Sequence, residues 1–139
     1  MSVRDIFHNA VKTALIKDGW TITDDPLRLE VGGISVSIDL SAERLIAAER
    51  KGQKIAVEVK SFLESASAIS EFHTALGQFL NYRAVLQMDE PDRELYLAVP
   101  TSVHDTFFQL PIPAAQVQTF GLKLLVYDPM EEVIVLWRN

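Results

Sequence analysis

The chain has 139 residues, a formal net charge of −6 at pH 7 and no cysteine. Its length and its 48% apolar and 23% charged composition are typical of one globular domain, so residues 1–139 are predicted to form a single domain. The lack of cysteine excludes disulfides, zinc–thiolate sites and thiol nucleophiles. No apolar run approaches the roughly 20 residues that span a bilayer, and the first residues resemble no signal peptide. A cytoplasmic protein without a membrane partner is therefore expected.

The net negative charge is unfavourable for nucleic-acid binding, because affinity for DNA comes largely from Lys and Arg contacts to phosphate. The segment 43–60 is an exception, with five basic residues against three acidic ones. The total charge argues against tight, unaided DNA binding. It does not exclude a metal-dependent nuclease, whose acidic residues are partly neutralised by the ion.

The first part of the chain is predicted to be a helix followed by strands. A broad apolar stripe predicts a helix over 3–18. Residues 23–26, Thr-Asp-Asp-Pro, have the composition of a turn. Two glycines at positions 32 and 33, between the apolar segments 27–31 and 34–40, predict a β-hairpin.

The middle of the chain is predicted to hold two further strands, at 45–49 and 54–61, around a turn at Lys51-Gly52. Helical spacing of apolar residues predicts a long helix over 67–87. The almost wholly apolar segment 95–99 predicts a short internal strand.

The C-terminal part is predicted to begin with a short helix over 101–108, capped by Thr101 or Ser102. Two prolines, Pro111 and Pro113, are predicted to break the pattern before a helical turn near 114–119. The remaining strands are predicted at 122–127 and 133–137, and the second of these is expected in the core; if exposed, it would be an interface. The predicted fold class is α/β, with a mixed sheet flanked by helices.

Side-chain alternation along two strands predicts a charged cluster. In 55–61, Glu58 and Lys60 share the face opposite the apolar residues. In 34–40, Asp39 lies on a polar face with two serines, and the apolar residues of the segment are expected to share the other face. If these strands are neighbours, Asp39, Glu58 and Lys60 converge.

Such a cluster has the components of a phosphodiesterase site. Mg²⁺ (or Mn²⁺) takes one or two carboxylates and keeps several waters, so Asp39 and Glu58 are the candidate metal ligands. Lys60 would activate water or hold phosphate. The alternative is a solvated charged face, which is the interpretation of the identically patterned Glu49-Arg50-Lys51, because that triplet runs into the predicted turn.

A second pair of candidates lies on the long helix. Gln78 and Tyr82 are four residues apart and so share a helix face, and Gly77 is predicted to allow another backbone to approach closely. Gln78 is predicted to hydrogen-bond water or the lysine, and Tyr82 to contact phosphate. The alternative is a surface glutamine beside a half-buried core tyrosine.

The remaining ionisable residues give weaker indications. The three histidines, His8, His73 and His104, are spread over three predicted helices without a second ligand at metal spacing, and are interpreted as surface or capping residues. Asp5 either adds a carboxylate to the cluster or complements the dipole of the first helix; the second interpretation is favoured.

The order helix, β-hairpin, strand, helix, strand, with Asp39 and Glu58-Val59-Lys60, resembles the PD-(D/E)xK, or restriction-endonuclease-like, superfamily. Gln78 with Tyr82 is similar to the Q-x-x-x-Y element of its RecB-type members. The chain as a whole resembles the XisH family of fdxN-element excision controlling factors of cyanobacteria, on four segments: 18–26, 43–50, 55–62 and 75–82. Two features depart from the superfamily pattern, since Ile38 replaces a proline before Asp39 and the first helix lacks a glutamate.

The resemblance implies an endonuclease-like core, a role in controlling excision of a DNA element during heterocyst differentiation, and an XisI-type partner protein. Two hypotheses follow. In the first, the protein is a Mg²⁺-dependent nuclease-like protein that acts on DNA or binds it, weakly or together with a partner. In the second, it is a non-catalytic regulatory module that keeps the nuclease fold and works through the XisI-type protein. Assembly into a homo-oligomer is left open.

Overall fold

The computed structural model describes residues 2–46, 51–62 and 67–139. Its elements, in chain order, are α1 (Val3–Lys17), β1 (Thr21–Asp24), β2 (Leu27–Val31), β3 (Ile34–Ile38), β4 (Leu40–Ile46), β5 (Lys51–Val59), α2 (Ala68–Asp89), β6 (Arg93–Pro100), α3 (Thr101–His104), a 3₁₀ turn (Phe107–Gln109), α4 (Pro111–Phe120), β7 (Leu124–Asp128) and β8 (Val133–Arg138). No helix in these ranges is long and apolar enough to cross a membrane.

A mixed six-stranded sheet forms the centre of the protein, with strand order β1-β4-β5-β6-β7-β8. The strands β5, β6 and β7 run parallel to one another, and the other neighbours are antiparallel. The hairpin β2–β3 forms a separate two-stranded sheet. The predicted α/β class, with helices flanking a mixed sheet, is confirmed.

The sheet separates two hydrophobic cores. On one side, α2, α4 and the β2–β3 hairpin enclose the larger core, which we call the hairpin-side core. On the other side, α1 covers the smaller α1-side core. Successive residues of β5 point to opposite cores, because Ala56 lies in the first and Ile55 and Val57 lie in the second. The strand that carries the predicted site is therefore buried on both faces.

The two longest helices, α1 and α2, begin at serine caps. The Ser2 hydroxyl accepts a hydrogen bond of 3.1 Å from the backbone N–H of Asp5, and Ser67 caps α2 in the same way through Ser70. The helix predicted over 3–18 is confirmed, and it ends before Gly19, whose φ of +93° only glycine adopts easily. The long helix is confirmed as well, two residues longer at its C-terminal end than predicted.

The strand predicted over 34–40 is interrupted at Asp39, where the chain leaves the hairpin and enters the central sheet as β4. Ile38 lies in the hairpin-side core and Leu40 in the α1-side core. The prediction that the apolar residues of this segment share one face was therefore wrong. The prediction assumed that side chains alternate between the two faces of an unbroken strand. The bend at Asp39 reverses the face to which the next apolar side chain points.

The two turns predicted in this half of the chain had different outcomes. The turn at 23–26 is confirmed at Asp25 and Pro26, which form a bend between β1 and β2. Residues 23 and 24 instead end β1, a four-residue edge strand that pairs with β4 and is too short to give a clear pattern. The second turn prediction was wrong, because Gly52 lies inside β5, opposite Leu45, although glycine in a strand is unfavourable and suggested a turn. The comparison triplet Glu49-Arg50-Lys51 cannot be judged, since residues 49 and 50 lie outside the described residues.

The C-terminal elements follow the prediction with shifted boundaries. Pro111 begins α4 instead of breaking it, because proline suits the first helical position. No side chain caps α3, whose N-cap is Pro100, so the predicted cap at Thr101 or Ser102 was wrong. The internal strand is confirmed as β6. The strand at 133–137 is confirmed as β8, but its expected place in the core holds only in part, since three of its apolar residues are exposed.

We predict that Ile38→Ala lowers the free energy of unfolding by about 2–5 kcal/mol, the usual cost of truncating a buried isoleucine. Ile38 is fully buried where the hairpin packs on α2. Ile34→Ala, at the other end of the same strand and 62% exposed, is the matched control and is expected to cost below about 1 kcal/mol. Urea denaturation checks both, and equal effects would contradict the packing described for the hairpin.

Candidate functional site

A polar cleft of about 260 Å³ opens where the end of β5, the bend at Asp39, the first turns of α1 and the middle of α2 meet. It contains all five predicted site residues. The cleft is lined by Arg4, Phe7, His8, Ser37, Asp39, Glu58, Val59, Lys60, Ser61, Glu71, Gln78 and Tyr82. The predicted convergence of two carboxylates and a lysine is therefore seen in this structure.

Glu58 is the most perturbed residue of the cleft. It is 5% exposed, and burial together with the negative charge of Asp39 raises the pKa of its carboxyl to about 8, against a partial lowering by Lys60. A carboxyl group whose pKa lies this far above its ordinary value is in an environment that disfavours its ionised form. Such groups are concentrated at functional sites.

Asp39 is locked to β5 by a reciprocal pair of hydrogen bonds. Its backbone N–H donates to Glu58 Oε1 at 3.2 Å, and its Oδ2 accepts a hydrogen bond of 2.8 Å from the backbone N–H of Val59. Its other oxygen lies 3.9 Å from Nη2 of Arg4, whose side chain is 75% exposed at the mouth of the cleft. The bend in the chain and the position of the carboxylate are thus fixed by the same contacts.

Lys60 lies one residue beyond β5. Its backbone N–H donates to the carbonyl of Ala98 at 3.0 Å, which continues the pairing with β6 past the end of the strand. The alternation of β5 is therefore kept, and Nζ of Lys60 lies 3.7 Å from Oε2 of Glu58. The prediction that Glu58 and Lys60 share one face is confirmed.

Gln78 and Tyr82 face the cleft from α2, as their spacing predicted. Burial and the charges of Glu58 and Asp39 raise the pKa of the Tyr82 hydroxyl. Oε1 of Gln78 is buried and has no hydrogen-bond partner among the described residues. The expected close approach of a backbone at Gly77 was wrong, because a Cβ added there would meet nothing within 4 Å.

Sequence reasoning missed the residues that α1 contributes to the cleft. Arg4 and His8 are one turn apart on α1, and Nε2 of His8 lies 2.8 Å from Oδ1 of Asp25. Lys12, one turn further, donates to Oδ2 of the same carboxylate at 2.8 Å, and these contacts lower the pKa of Asp25 despite its partial burial. Helical spacing relates the three α1 residues, but nothing in the sequence places them beside β5.

The helix dipole interpretation of Asp5 agrees with the structure, since Asp5 lies in the first turn of α1 and is not among the residues that line the cleft. Glu71 of α2 is the further acidic residue that lines it, and was not predicted. His73 is exposed, and His104 contacts Asp105 and Arg138.

The residues of the cleft fit a two-carboxylate metal site. Asp39 and Glu58 repel each other, and a divalent cation between them would relieve both that repulsion and the burial of charge. Mg²⁺ needs only one or two carboxylates. The described residues contain no group of three or more His, Asp or Glu side chains arranged to hold a metal, so a larger ligand set is not found there.

The fold and the site define a mixed α/β protein with an open cleft at the carboxyl end of a central strand, where a lysine lies beside two carboxylates. Residues 1–135 match the family model described as XisH protein. The chain belongs to the XisH family.

Two solved structures share this fold. One is an XisH family protein from Nostoc punctiforme PCC 73102, with 55% identity and a TM-score of 0.90 over 97% of this chain and 100% of that one. The other is a fdxN element excision controlling factor protein from Anabaena variabilis, with 59% identity and a TM-score of 0.90 over 98% of this chain and 100% of that one. Comparison with curated proteins gives no match.

We predict that the metal-free protein loses stability as the pH rises from about 4.5 to about 8. The pKa of Glu58 is raised on folding, so the folded state binds the proton more tightly than the unfolded state throughout that window. Glu58→Gln removes the titration, and is expected to be the more stable protein at pH 8 by roughly 2 kcal/mol, about half of what the full shift corresponds to.

Urea denaturation in EDTA at a series of pH values measures this difference. Glu30→Gln, on the exposed face of β2, is the control and is expected to keep the wild-type pH dependence. Parallel stability curves for wild type and Glu58→Gln across the window would contradict the prediction.

Proposed function

We propose that this XisH family protein is a fdxN-element excision controlling factor with a Mg²⁺-dependent (or Mn²⁺-dependent), nuclease-like site of the PD-(D/E)xK type that acts on DNA or binds it. The observation that carries this proposal is the meeting of Asp39, Glu58 and Lys60 in one cleft. The excision role is supported by the likeness to the Anabaena variabilis protein over nearly the whole chain.

In this proposal Asp39 and Glu58 are the residues that hold the metal. A bound divalent cation supplies Lewis-acid stabilisation of the charge that develops on a phosphodiester. Lys60, beside Glu58, holds the phosphate or the attacking water as a point charge. Lys60 also offsets part of the negative charge when the cleft is empty, which explains why it lowers the pKa of Glu58 while Asp39 raises it.

The opposite wall would orient the reacting groups. Oε1 of Gln78, which is buried and accepts no hydrogen bond from the part of the chain that the structure describes, is suited to orient a water molecule in the cleft. Tyr82 offers a hydroxyl that stays protonated, because its pKa is raised, and it can donate to a phosphate oxygen. Arg4 lies at the mouth, where an exposed guanidinium would meet the DNA backbone.

Titration of Mg²⁺ or Mn²⁺ by calorimetry tests the metal site. We expect binding to wild type and at least a tenfold loss of affinity for Glu58→Ala and Asp39→Ala, since each removes half of the charged ligand set. Glu30→Ala, which removes an exposed acid from β2, is expected to bind as wild type does. Equal absence of binding in wild type and Glu58→Ala would sink the metal site.

Cleavage of plasmid, junction and branched DNA in Mn²⁺ tests the chemistry. We expect Lys60→Ala to lower the rate by about 10²–10³, the range found when one group that stabilises developing charge is removed. Lys54→Ala is the matched control, because Lys54 is an exposed lysine on the same strand, outside the cleft. Cleavage that Lys60→Ala leaves unchanged would exclude the proposed role of the lysine.

The second candidate is a regulatory module that keeps the fold without catalysis and works through an XisI-type partner. The observation in its favour is that the described residues hold no larger ligand cluster than the two carboxylates, in a chain of net charge −6. A partner complex whose excision activity survives Asp39→Ala combined with Glu58→Ala would decide for this candidate.

A further inference from the structure

The strand β8 is an outer edge of the central sheet, and no other strand in the described part of the chain pairs with its free side. Its sequence is Val-Ile-Val-Leu-Trp-Arg, with neither lysine nor proline. Natural proteins commonly protect an edge strand with such residues, because a long apolar edge is a template for another strand. The edge is therefore suited to pairing.

Three apolar residues of this strand are exposed. Val133, Val135 and Leu136 are 36%, 56% and 41% exposed, whereas Ile134 and Trp137 pack against the α1-side core. Tyr127 pairs with Ile134 and Val126 with Leu136, so Val135 is the extra residue of a bulge. A bulge can blunt an edge, but the extra residue of this one is an exposed apolar side chain.

Both ends of β8 are held in place. At its start, Oδ1 of Asp128 accepts hydrogen bonds from the backbone of Met130 and Glu131, and Lys17 donates to the carbonyl of Glu131 at 2.9 Å. At its end, the Tyr96 hydroxyl donates to the side chain of Asn139. An edge that is already ordered loses little conformational entropy when another strand joins it.

The charges at the two ends of β8 are complementary to those of a second copy of the chain. Glu131 and Glu132 precede the strand and Arg138 ends it. No ion pair among the described residues contains any of the three, and Arg138 contacts only the ring of His104 among the side chains described. Antiparallel pairing about a two-fold axis brings the end of one strand beside the start of the other. Each Arg138 then lies next to the acidic pair of the other copy, twice by symmetry.

We propose that two copies of this protein pair through antiparallel β8 strands and form one continuous sheet. The exposed Ile16 and Met130, on either side of the Lys17–Glu131 hydrogen bond, extend the apolar contact. The net charge of −6 does not prevent this pairing, because charges farther apart than about 8 Å are largely screened at physiological salt. β8 lies three strands from β5, so the cleft stays open in the dimer and the proposal does not rest on the proposed function.

Sedimentation equilibrium tests the dimer, with the full chain loaded at concentrations up to about 1 mM so that weak association is seen. Wild type is expected to dimerise, and Val135→Lys to be monomeric with an unchanged circular dichroism spectrum. Ile34→Lys places the same charge on an equally exposed apolar residue at the hairpin and is expected to dimerise as wild type does.

A charge swap distinguishes a second copy from another partner. Arg138→Glu and Glu132→Arg are each expected to raise the dimer dissociation constant about tenfold, since each places like charges next to one another on both sides of the two-fold axis. The chain that carries both substitutions is expected to bind more tightly than either single variant, because it restores one opposite-charge pair on each side of the two-fold axis.

Failure of the double variant to bind more tightly than the single variants would overturn the antiparallel pairing, as would a wild type that stays monomeric at every concentration. Dimerisation that Val135→Lys leaves unchanged would place the interface elsewhere and overturn it too.

Discussion

The reciprocal hydrogen bonds between Asp39 and β5 are the constraint on which the rest of this structure depends. The backbone N–H of Asp39 donates to Glu58, and the carboxylate of Asp39 accepts from the N–H of Val59. Asp39 lies where the chain passes from the hairpin to the central sheet, and these bonds satisfy backbone groups that a ladder would otherwise pair. The same hydrogen bonds fix the bend in the backbone and the position of the acidic side chains. A substitution that breaks them is therefore expected to alter both.

This constraint costs stability, because it brings a second negative charge to a carboxylate that is already buried. The pKa of Glu58 is raised first by its burial and then by the negative charge of Asp39. Both sides of the strand are filled by tightly packed apolar residues, with a cluster of four phenylalanines at 62, 72, 107 and 108 on the hairpin side. A well-packed core can hold an unfavourable charge pair in place, and such local conflict is expected at a site made for a ligand.

The sequence predicted the parts of the site that depend on local periodicity. Alternation placed Glu58 and Lys60 together, and helical spacing placed Gln78 with Tyr82. Asp39 was placed in the cleft although the assumed unbroken strand was wrong, because its bend still leaves it beside β5. Arg4 and Glu71 were missed, since their position depends on how α1 and α2 pack on the sheet and not on any local pattern. The exposure of β8 was missed for the same reason, because an apolar strand looks alike whether it lies inside a sheet or at its edge.

The sheet topology places the cleft and the free edge of β8 in different regions of the central sheet. The cleft lies at the carboxyl end of β5, next to the parallel strand β6, which is where open α/β sheets commonly bind ligands. The apolar edge lies on the far side of β6 and β7, with its backbone groups directed away from the cleft. Because strands buried on both faces lie between the cleft and β8, pairing at β8 is expected to change the number of clefts in an assembly without changing the geometry of any one. In such a dimer the two clefts would be related by a two-fold axis. A symmetric pair of sites is suited to a target that has two equivalent strands or ends.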